Sequence, residues 1–430
     1  MNLIKKRKIV KKKRKSKNKI YTSVGNYFIY KRVEIKMFKV FIFTFFVSWS
    51  FAEISDSQSF DKFLWITADS MKDKESISEA LYFAFDHNFN KVFVQCRFRG
   101  DAFYKSNIVP RNLSIRNNNF DPLRYAVLIG HQLGLEVHAW MNTYILWSRS
   151  GQDDAAPYNL NHIYHTNKNW TESNIYGKSD SDVDITQVQS LNWEGIYLSP
   201  NHPEVNNYLL SVFKEVVDNY DIDGLHLDYI RFQSDVYGYN ASGLKIFKEK
   251  YDFDPLDIER NIISTNYGWK KNEIDSMKTM WDNYKIQNIN NLLVDIKKTI
   301  IESDKDISVS AAVKPDPNLA KDKWSQDWMQ WLGSDFLDFV VLMNYASDNI
   351  GFYGPISSIK EKNNQDLEKI IMGISTFNQS SKQVSEKIYL SHLYGFQGIS
   401  LFSYYTIDEN QKENLIWFDP IIDVFINNIE

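Results

Sequence analysis

The stretch Asp221-Ile222-Asp223-Gly224-Leu225-His226-Leu227-Asp228-Tyr229-Ile230-Arg231-Phe232 places a histidine and an aspartate two residues apart inside an otherwise apolar run. Residues two apart in a strand point to the same side, so His226 and Asp228 share one face while Leu225 and Leu227 share the other. A central strand of a parallel sheet is buried on both faces, where an ionised Asp228 is costly without partners. The stretch therefore predicts a strand whose polar face ends in an enclosed but accessible place.

Working outward, short apolar runs of the same kind recur along the chain. They are Phe63–Thr67, Lys91–Arg97, Leu135–Asn142, Gly224–Tyr229, Ile307–Val313, Leu337–Tyr345, Ile370–Ser375 and Gly398–Tyr404. Helix-length amphipathic segments lie between them, among them Glu75–Asn88, Pro122–Leu133, Pro203–Tyr220, Trp281–Glu302 and Ser385–Tyr394. Alternating strands and helices predict a parallel sheet. Eight such units without a Gly-x-Gly-x-x-Gly turn predict an α/β fold of one closed (β/α)8 (TIM) barrel rather than a doubly wound sheet. The longest insertions, Trp147–Leu198 after strand three and Gln233–Met280 after strand four, fall on the side where barrel enzymes build their sites.

Strand parity then selects candidates. Gln95 and Arg97 on strand two, His138, Trp140 and Asn142 on strand three, His226 and Asp228 on strand four, and Ser310 on strand five take the alternation opposite to the apolar, helix-facing set. These residues are expected to converge inside the barrel, toward the strand C-termini. Asp228, with Tyr229 and Arg231 just beyond it, is placed as a catalytic carboxylate that His226 or Arg97 can bond. Glycoside hydrolysis needs a second carboxyl group. Asp101, in Arg97-Phe98-Arg99-Gly100-Asp101, and Asp316, in Lys314-Pro315-Asp316-Pro317, are the leading candidates, with Asp69 a third. The competing roles are an ion pair with Arg97 or Arg99 for Asp101 and turn stabilisation for Asp316. Trp65, Trp140, Trp147, Tyr345, Phe402 and Tyr404 near strand ends offer rings for stacking on sugars, and Asn142 and Asn344 offer amides for hydroxyl groups. A rival reading makes His138, His226 and Asp228 a metal-binding set, and hence a metal-dependent hydrolase. Against it, strand one carries no His-x-His, and His162, His165 and His202 lack ligand spacing; neither metal nor cofactor is expected. A third reading is a carbohydrate-binding barrel without catalysis.

Four stretches carry a family resemblance: VFVQCRFRGDAFYKS from Val92, DPLRYAVLIGHQLGLEVHAWMN from Asp121, YLSPNHPEVNNYLLSVFKEVVDNYDIDGLHLDYIRF from Tyr197, and SAAVKPDP from Ser310 followed by LDFVVLMNYA. In these the sequence resembles the glycoside-hydrolase-like family 10 proteins, bacterial (β/α)8 barrels that include a divisome-localised glycosidase acting on peptidoglycan glycan strands. The resemblance implies carbohydrate hydrolysis, with Asp228 at the family's acidic signature position. From the strands and their ends, Arg97, Arg99, His138, Trp140, Asn142, His226, Tyr229, Arg231, Asn344, Tyr345 and Tyr404 are the expected substrate-side residues. One departure lies in Trp281-Asp282-Asn283-Tyr284-Lys285-Ile286, where the family usually has arginine near Lys285 or Ile286.

The N-terminus reads separately. Residues 1–36 are lysine-rich and read as an upstream extension or disordered tail, with Met37 as the expected start; the rivals are a long basic n-region or an uncleaved anchor. Met37 precedes an apolar run, Val40–Ala52, of about 13 residues, short for a bilayer span and suited to a signal peptide. Ser50-Phe51-Ala52 fits a cleavage site, giving a mature chain from Glu53, an exported location and no stable membrane span. Residues 1–52 hold 15 Lys and Arg and one acidic residue; removing them from totals of 50 and 54 leaves 35 basic against 53 acidic side chains, a net charge of −18. That surface excludes nucleic acid as a partner and leaves a glycan as the expected one. Residues 53–430 are read as one domain. At 43% hydrophobic and 15% aromatic, the chain has ample material for its core. Cys96, the only cysteine, excludes an internal disulfide and reads as a buried thiol.

Overall fold

The computed structural model describes residues 60–148, 156–184, 193–362 and 367–427. The basic segment 1–36, the apolar segment 37–52 and the expected mature start at Glu53 lie outside the described residues. Eight parallel strands form the centre: β1 (Asp61–Ile66), β2 (Lys91–Phe98), β3 (Glu136–Asn142), β4 (Gly224–Asp228), β5 (Ser308–Val313), β6 (Phe339–Met343), β7 (Ile370–Ser375) and β8 (Gly398–Phe402). Each pairs with the next, and β1 pairs with both β2 and β8, so the sheet closes on itself. This is the predicted barrel.

The alternation separates two apolar shells. Phe63, Trp65, Phe93, Trp140, Ala312, Phe339, Val341 and Ile371 pack inside the barrel. Leu64, Val92, Val94, Leu225 and Leu227 take the other parity and pack under the helices. The helix after β2, α2 (Pro122–Leu133), shows how local sequence sets this arrangement. Asp121 caps its N-terminus, accepting the Arg124 N–H at 3.2 Å, and Pro122 supplies the preset φ of a first turn. Gly134, in the left-handed region at φ 76°, ends it. Gly130 lets α2 lie close on β3, since a Cβ there would fall 2.3 Å from Val137 Cγ2.

The other principal helices are α1 (Lys74–Asp86), α3 (Val205–Asn219), α4 (Lys271–Ser303), α5 (Pro317–Trp324), α6 (Asn349–Lys362) and α7 (Ser381–Leu393). The helix expected from Trp281 begins instead at Lys271, where Glu273 reaches back to the Lys270 N–H at 2.9 Å and Ile274 and Met277 extend the face of Trp281. Among the described residues, no helix is long and apolar enough to cross a membrane.

Two insertions crown the C-terminal end. The first, after β3, includes a short antiparallel pair, Ile145–Trp147 with Ile196–Tyr197. The second, after β4, has its own small core, in which Tyr239, Phe247, Phe253, Leu256, Ile258 and Ile263 gather around Trp281 of α4.

Candidate active site

Asp228 is the last residue of β4, and the chain turns at once after it. Tyr229 has φ 53°, a left-handed conformation that costs a non-glycine residue ~1 kcal/mol or more. The turn brings the Tyr229 N–H to Asp228 Oδ1 at 2.7 Å, while the Trp140 indole N–H donates to Oδ2 at 3.2 Å. Asp228 is buried, and burial pushes its carboxyl up to about 6 against the opposing pull of the Tyr229 N–H, Arg231 and Trp140. About a tenth of this group therefore keeps its proton at pH 7, far more than for an ordinary aspartate.

A second carboxylate enters from the β3 insertion. Glu194 Oε2 accepts from Arg231 Nη2 at 2.7 Å and from the Tyr197 hydroxyl, and Lys314 Nζ, at the end of β5, lies 3.8 Å from Oε1. Burial opposes its ionisation, but Arg231 and Lys314 outweigh that and hold Glu194 below the ordinary carboxylate range. Burial, with Arg231 nearby, in turn lowers Lys314 to about 8. Two carboxyl groups with pKa values displaced in opposite directions thus share one cavity.

The cavity has a volume of about 670 Å³ and opens at the C-terminal ends of the strands. Trp65, Trp140, Tyr229, Tyr345, Phe402 and Tyr405 give it aromatic walls; Gln95, Arg99 and Asn142 add polar groups. Gln95 is fixed by accepting the Ala68 N–H at 3.0 Å. Asp69 and Lys72 pair at 2.6 Å on the exposed rim.

Of the residues singled out from sequence, Trp65, Asp69, Gln95, Arg99, Trp140, Asn142, Asp228, Tyr229, Arg231, Tyr345 and Phe402 line this cavity together. The others lie elsewhere. A register shift in β2 between Gln95 and Arg97 turns the Arg97 guanidinium to the carbonyls of Asn142 and Thr143 (3.2 Å for the latter) and toward Tyr208 of α3. Neither Arg97 nor His226 bonds Asp228 in the hydrogen bonds described; Trp140 and the Tyr229 backbone do. His226 and His138 lie deeper, among the interior aromatic rings, because they sit earlier on their strands. Asp101 accepts from Asn112 Nδ2 at 3.0 Å, with His162 Nε2 3.8 Å away, and does not line the cavity. Asp316 caps α5, accepting the Leu319 N–H at 2.9 Å and the Ser358 hydroxyl at 3.1 Å. Asn344 donates to the Phe352 carbonyl of α6 at 2.9 Å. Tyr404 packs its ring 5.4 Å from Phe83, leaving its neighbour Tyr405 to face the cavity. Lys285 is buried on α4, 3.1 Å from Asp282 and away from the cavity lining.

Sequence reasoning missed Glu194, Lys314 and Tyr405. Glu194 lies in Trp193-Glu194-Gly195, inside an insertion with no periodicity to give it a direction; its only signal is an acid flanked by a tryptophan and a glycine. Among the described residues, no group of three His, Cys, Asp or Glu side chains is arranged to hold a metal ion. The rival histidine–carboxylate set does not assemble, since His138 and His226 lie among the interior rings while Asp228 sits above them against Trp140 and the Tyr229 N–H.

A closed (β/α)8 barrel with carboxyl groups in an aromatic-walled cavity at its C-terminal mouth is an architecture shared with glycoside hydrolases. The chain belongs to the glycosyl hydrolase-like 10 family, whose sequence profile matches residues 58–392. It is 27% identical over 144 residues to glycosyl hydrolase YngK of Bacillus subtilis, covering 32% of this chain and 24% of that protein. It is also 27% identical over 149 residues to glycosyl hydrolase DigH of Escherichia coli K12, covering 32% of this chain and 30% of that one. The aligned part is thus less than a third of either relative. In three dimensions the chain is similar to the PgaB (BpsB) glycoside hydrolase domain of Bordetella bronchiseptica, with a TM-score of 0.61 at 13% identity over 83% of this chain and 98% of that domain. It is likewise similar to the β-amylase catalytic domain of Paenibacillus polymyxa, with a TM-score of 0.56 at 10% identity over 87% of this chain and 99% of that domain. At these identities the two structures speak for the fold alone.

Proposed function

We propose that the protein is an exported glycoside hydrolase that cleaves O-glycosidic bonds of a polysaccharide or of a peptidoglycan glycan strand, with Asp228 and Glu194 as its carboxyl pair. The observation that carries this reading is the opposite displacement of the two carboxyl groups within one aromatic-walled cavity. Divergent pKa values are how one site holds both an acid and a base at the same pH. Asp228, raised to about 6, keeps its proton long enough to give it to the departing glycosidic oxygen. Glu194, held ionised by Arg231 and Lys314, acts as base toward water or as nucleophile toward the anomeric carbon. Arg231 touches only Glu194 of the pair by hydrogen bond, which keeps the two roles distinct. The aromatic walls suit the apolar faces of sugar rings, and Asn142 and Gln95 suit their hydroxyl groups.

Export is supported by the apolar run ending at Ala52. N-terminal sequencing of the mature protein is expected to start at Glu53; an intact residue 1–36 segment on a cytosolic product would overturn that part. The activity is tested by incubating the protein with purified peptidoglycan glycan strands and a panel of neutral polysaccharides and counting new reducing ends. Turnover that disappears in both Asp228→Asn and Glu194→Gln supports the reading, and no turnover of any of these glycans by the wild type defeats it.

A further inference from the structure

We infer that Asp180 is a positioning residue that aims Glu194 into the cavity through the turn Trp193–Tyr197. The inference rests on the reading of Glu194 as one of the two reacting carboxyl groups. Glu194 belongs to no helix or strand, and Arg231 and Lys314 attract its charge without fixing the path of its backbone. The path is fixed from behind. Asp180, 1% exposed and outside the cavity lining, accepts the Tyr197 N–H at 3.0 Å through Oδ2 and the Trp193 indole N–H at 3.4 Å through Oδ1. Those two residues bracket Glu194. Gln233, just beyond β4, donates to Asp180 Oδ2 at 3.3 Å and to the Gly195 carbonyl at 3.3 Å, tying the same turn to the strand that carries Asp228. Gly195 allows the turn to press against the preceding hairpin strand, since a Cβ there would fall 2.5 Å from the Trp147 carbonyl.

Asp180 is therefore a hub for four donors, two of them on the turn, the third attached to it and the fourth the Tyr237 hydroxyl. Asparagine cannot replace it, because the amide keeps one accepting oxygen and turns N–H groups toward donors. Among the described residues, the neighbours facing Asp180 are Tyr197, Trp193, Gln233, Tyr237 and Glu172, and none of them is a cation.

The test measures kcat, KM and the pH profile of Asp180→Asn on peptidoglycan glycan strands, with thermal unfolding to confirm the fold. The expected result is a fall in kcat of tenfold or more with KM within about threefold. The acidic limb of kcat should move to higher pH, since a Glu194 displaced from Arg231 keeps its proton longer. Trp193→Phe, which removes a single donor from a partly exposed side chain, should lower kcat severalfold in the same manner, and it decides the matter if Asp180→Asn does not fold. Glu172→Gln is the control: its side chain accepts the Gly238 N–H at 2.8 Å rather than a donor of the turn, and its kcat should stay near wild type. A folded Asp180→Asn, or failing that Trp193→Phe, with unchanged kcat and pH profile overturns the inference, as does an equal loss in Glu172→Gln. If instead Glu194→Gln keeps wild-type turnover, or the wild type does not turn the strands over, the underlying reading of the site is what falls.

Discussion

On β4, His226 and Asp228 lie two residues apart and face the same interior, yet they occupy different layers of the barrel. His226 is sealed in the floor, its ring centroid 4.1 Å from that of Phe93 and 4.8 Å from that of Trp65, its Nδ1 bonded to Ser310. Burial drives its pKa well below the ordinary histidine value, so the ring stays neutral. Asp228 sits one layer up, at the mouth, against Trp140, the Tyr229 N–H and the open cavity. The same physical effect, the cost of burying charge, makes an inert base of the first and a proton-holding acid of the second. Strand parity decides which residues point inward; depth decides which of those can meet a substrate.

The contrast can be broken most decisively at the mouth. Asp228→Asn and Glu194→Gln are each expected to lower kcat by about 1000-fold or more, roughly 4 kcal/mol of transition-state stabilisation, while the fold survives. Reducing-end release from glycan strands, with a circular-dichroism melt alongside, reads both. Wild-type kcat in either variant would remove the mouth's claim to the chemistry.

A second test sharpens the contrast through stability. The folded-state value of Asp228, about 6, exceeds the ordinary 3.8, so the folded protein holds this proton more tightly than the unfolded chain. Its contribution is fully present below pH 3.8 and is lost as pH rises through 6. Asp228→Asn, which has no charge to bury, should therefore be more stable than wild type by about 1–3 kcal/mol at pH 7.5 and indistinguishable from it near pH 4 in urea unfolding. The histidine runs the other way. With its folded value depressed, the contribution of His226 is present above the ordinary 6.5 and is lost as pH falls below it. His226→Leu should cost about 1 kcal/mol at pH 7.5 through the lost Ser310 bond, with the gap narrowing below pH 6.5 and kcat within about threefold of wild type. A gap that widens in acid would mean that His226 is charged in the fold.

The smallest effects belong to residues outside both layers. Asp316→Ala should cost about 1 kcal/mol, the loss of a helix cap, and Cys96→Ala a similar or smaller amount from packing against Met141. Neither should change kcat per folded molecule, and a large loss of turnover in either would extend the site beyond its present walls.

The barrel was legible because eight short apolar runs alternate with helix-length amphipathic segments along the chain. The mouth was legible only where the strands themselves reach it. Trp140, Asn142 and Asp228 follow from parity, and Tyr229 and Arg231 from adjacency. Parity failed at Arg97, where one register shift turned the guanidinium out of the cavity, and it could not rank His138 and His226 by depth. Glu194 escaped because its direction is set by Asp180, Gln233 and the hairpin, contacts brought together by folding rather than by spacing. The first turns of α4 escaped because residues 271–280 are mostly exposed and touch the core only through Ile274 and Met277.

The two carboxyl groups reach the cavity on different kinds of support, one at the end of a barrel strand and the other on a loop fastened behind it. One member of the proposed pair is thereby bound to a barrel strand, and the other is carried on an insertion. Lengthening, shortening or redecorating the loop upstream of Asp180 leaves Asp228 and its strand untouched. The walls of the cavity can thus be reshaped from the loop without disturbing the strands beneath it.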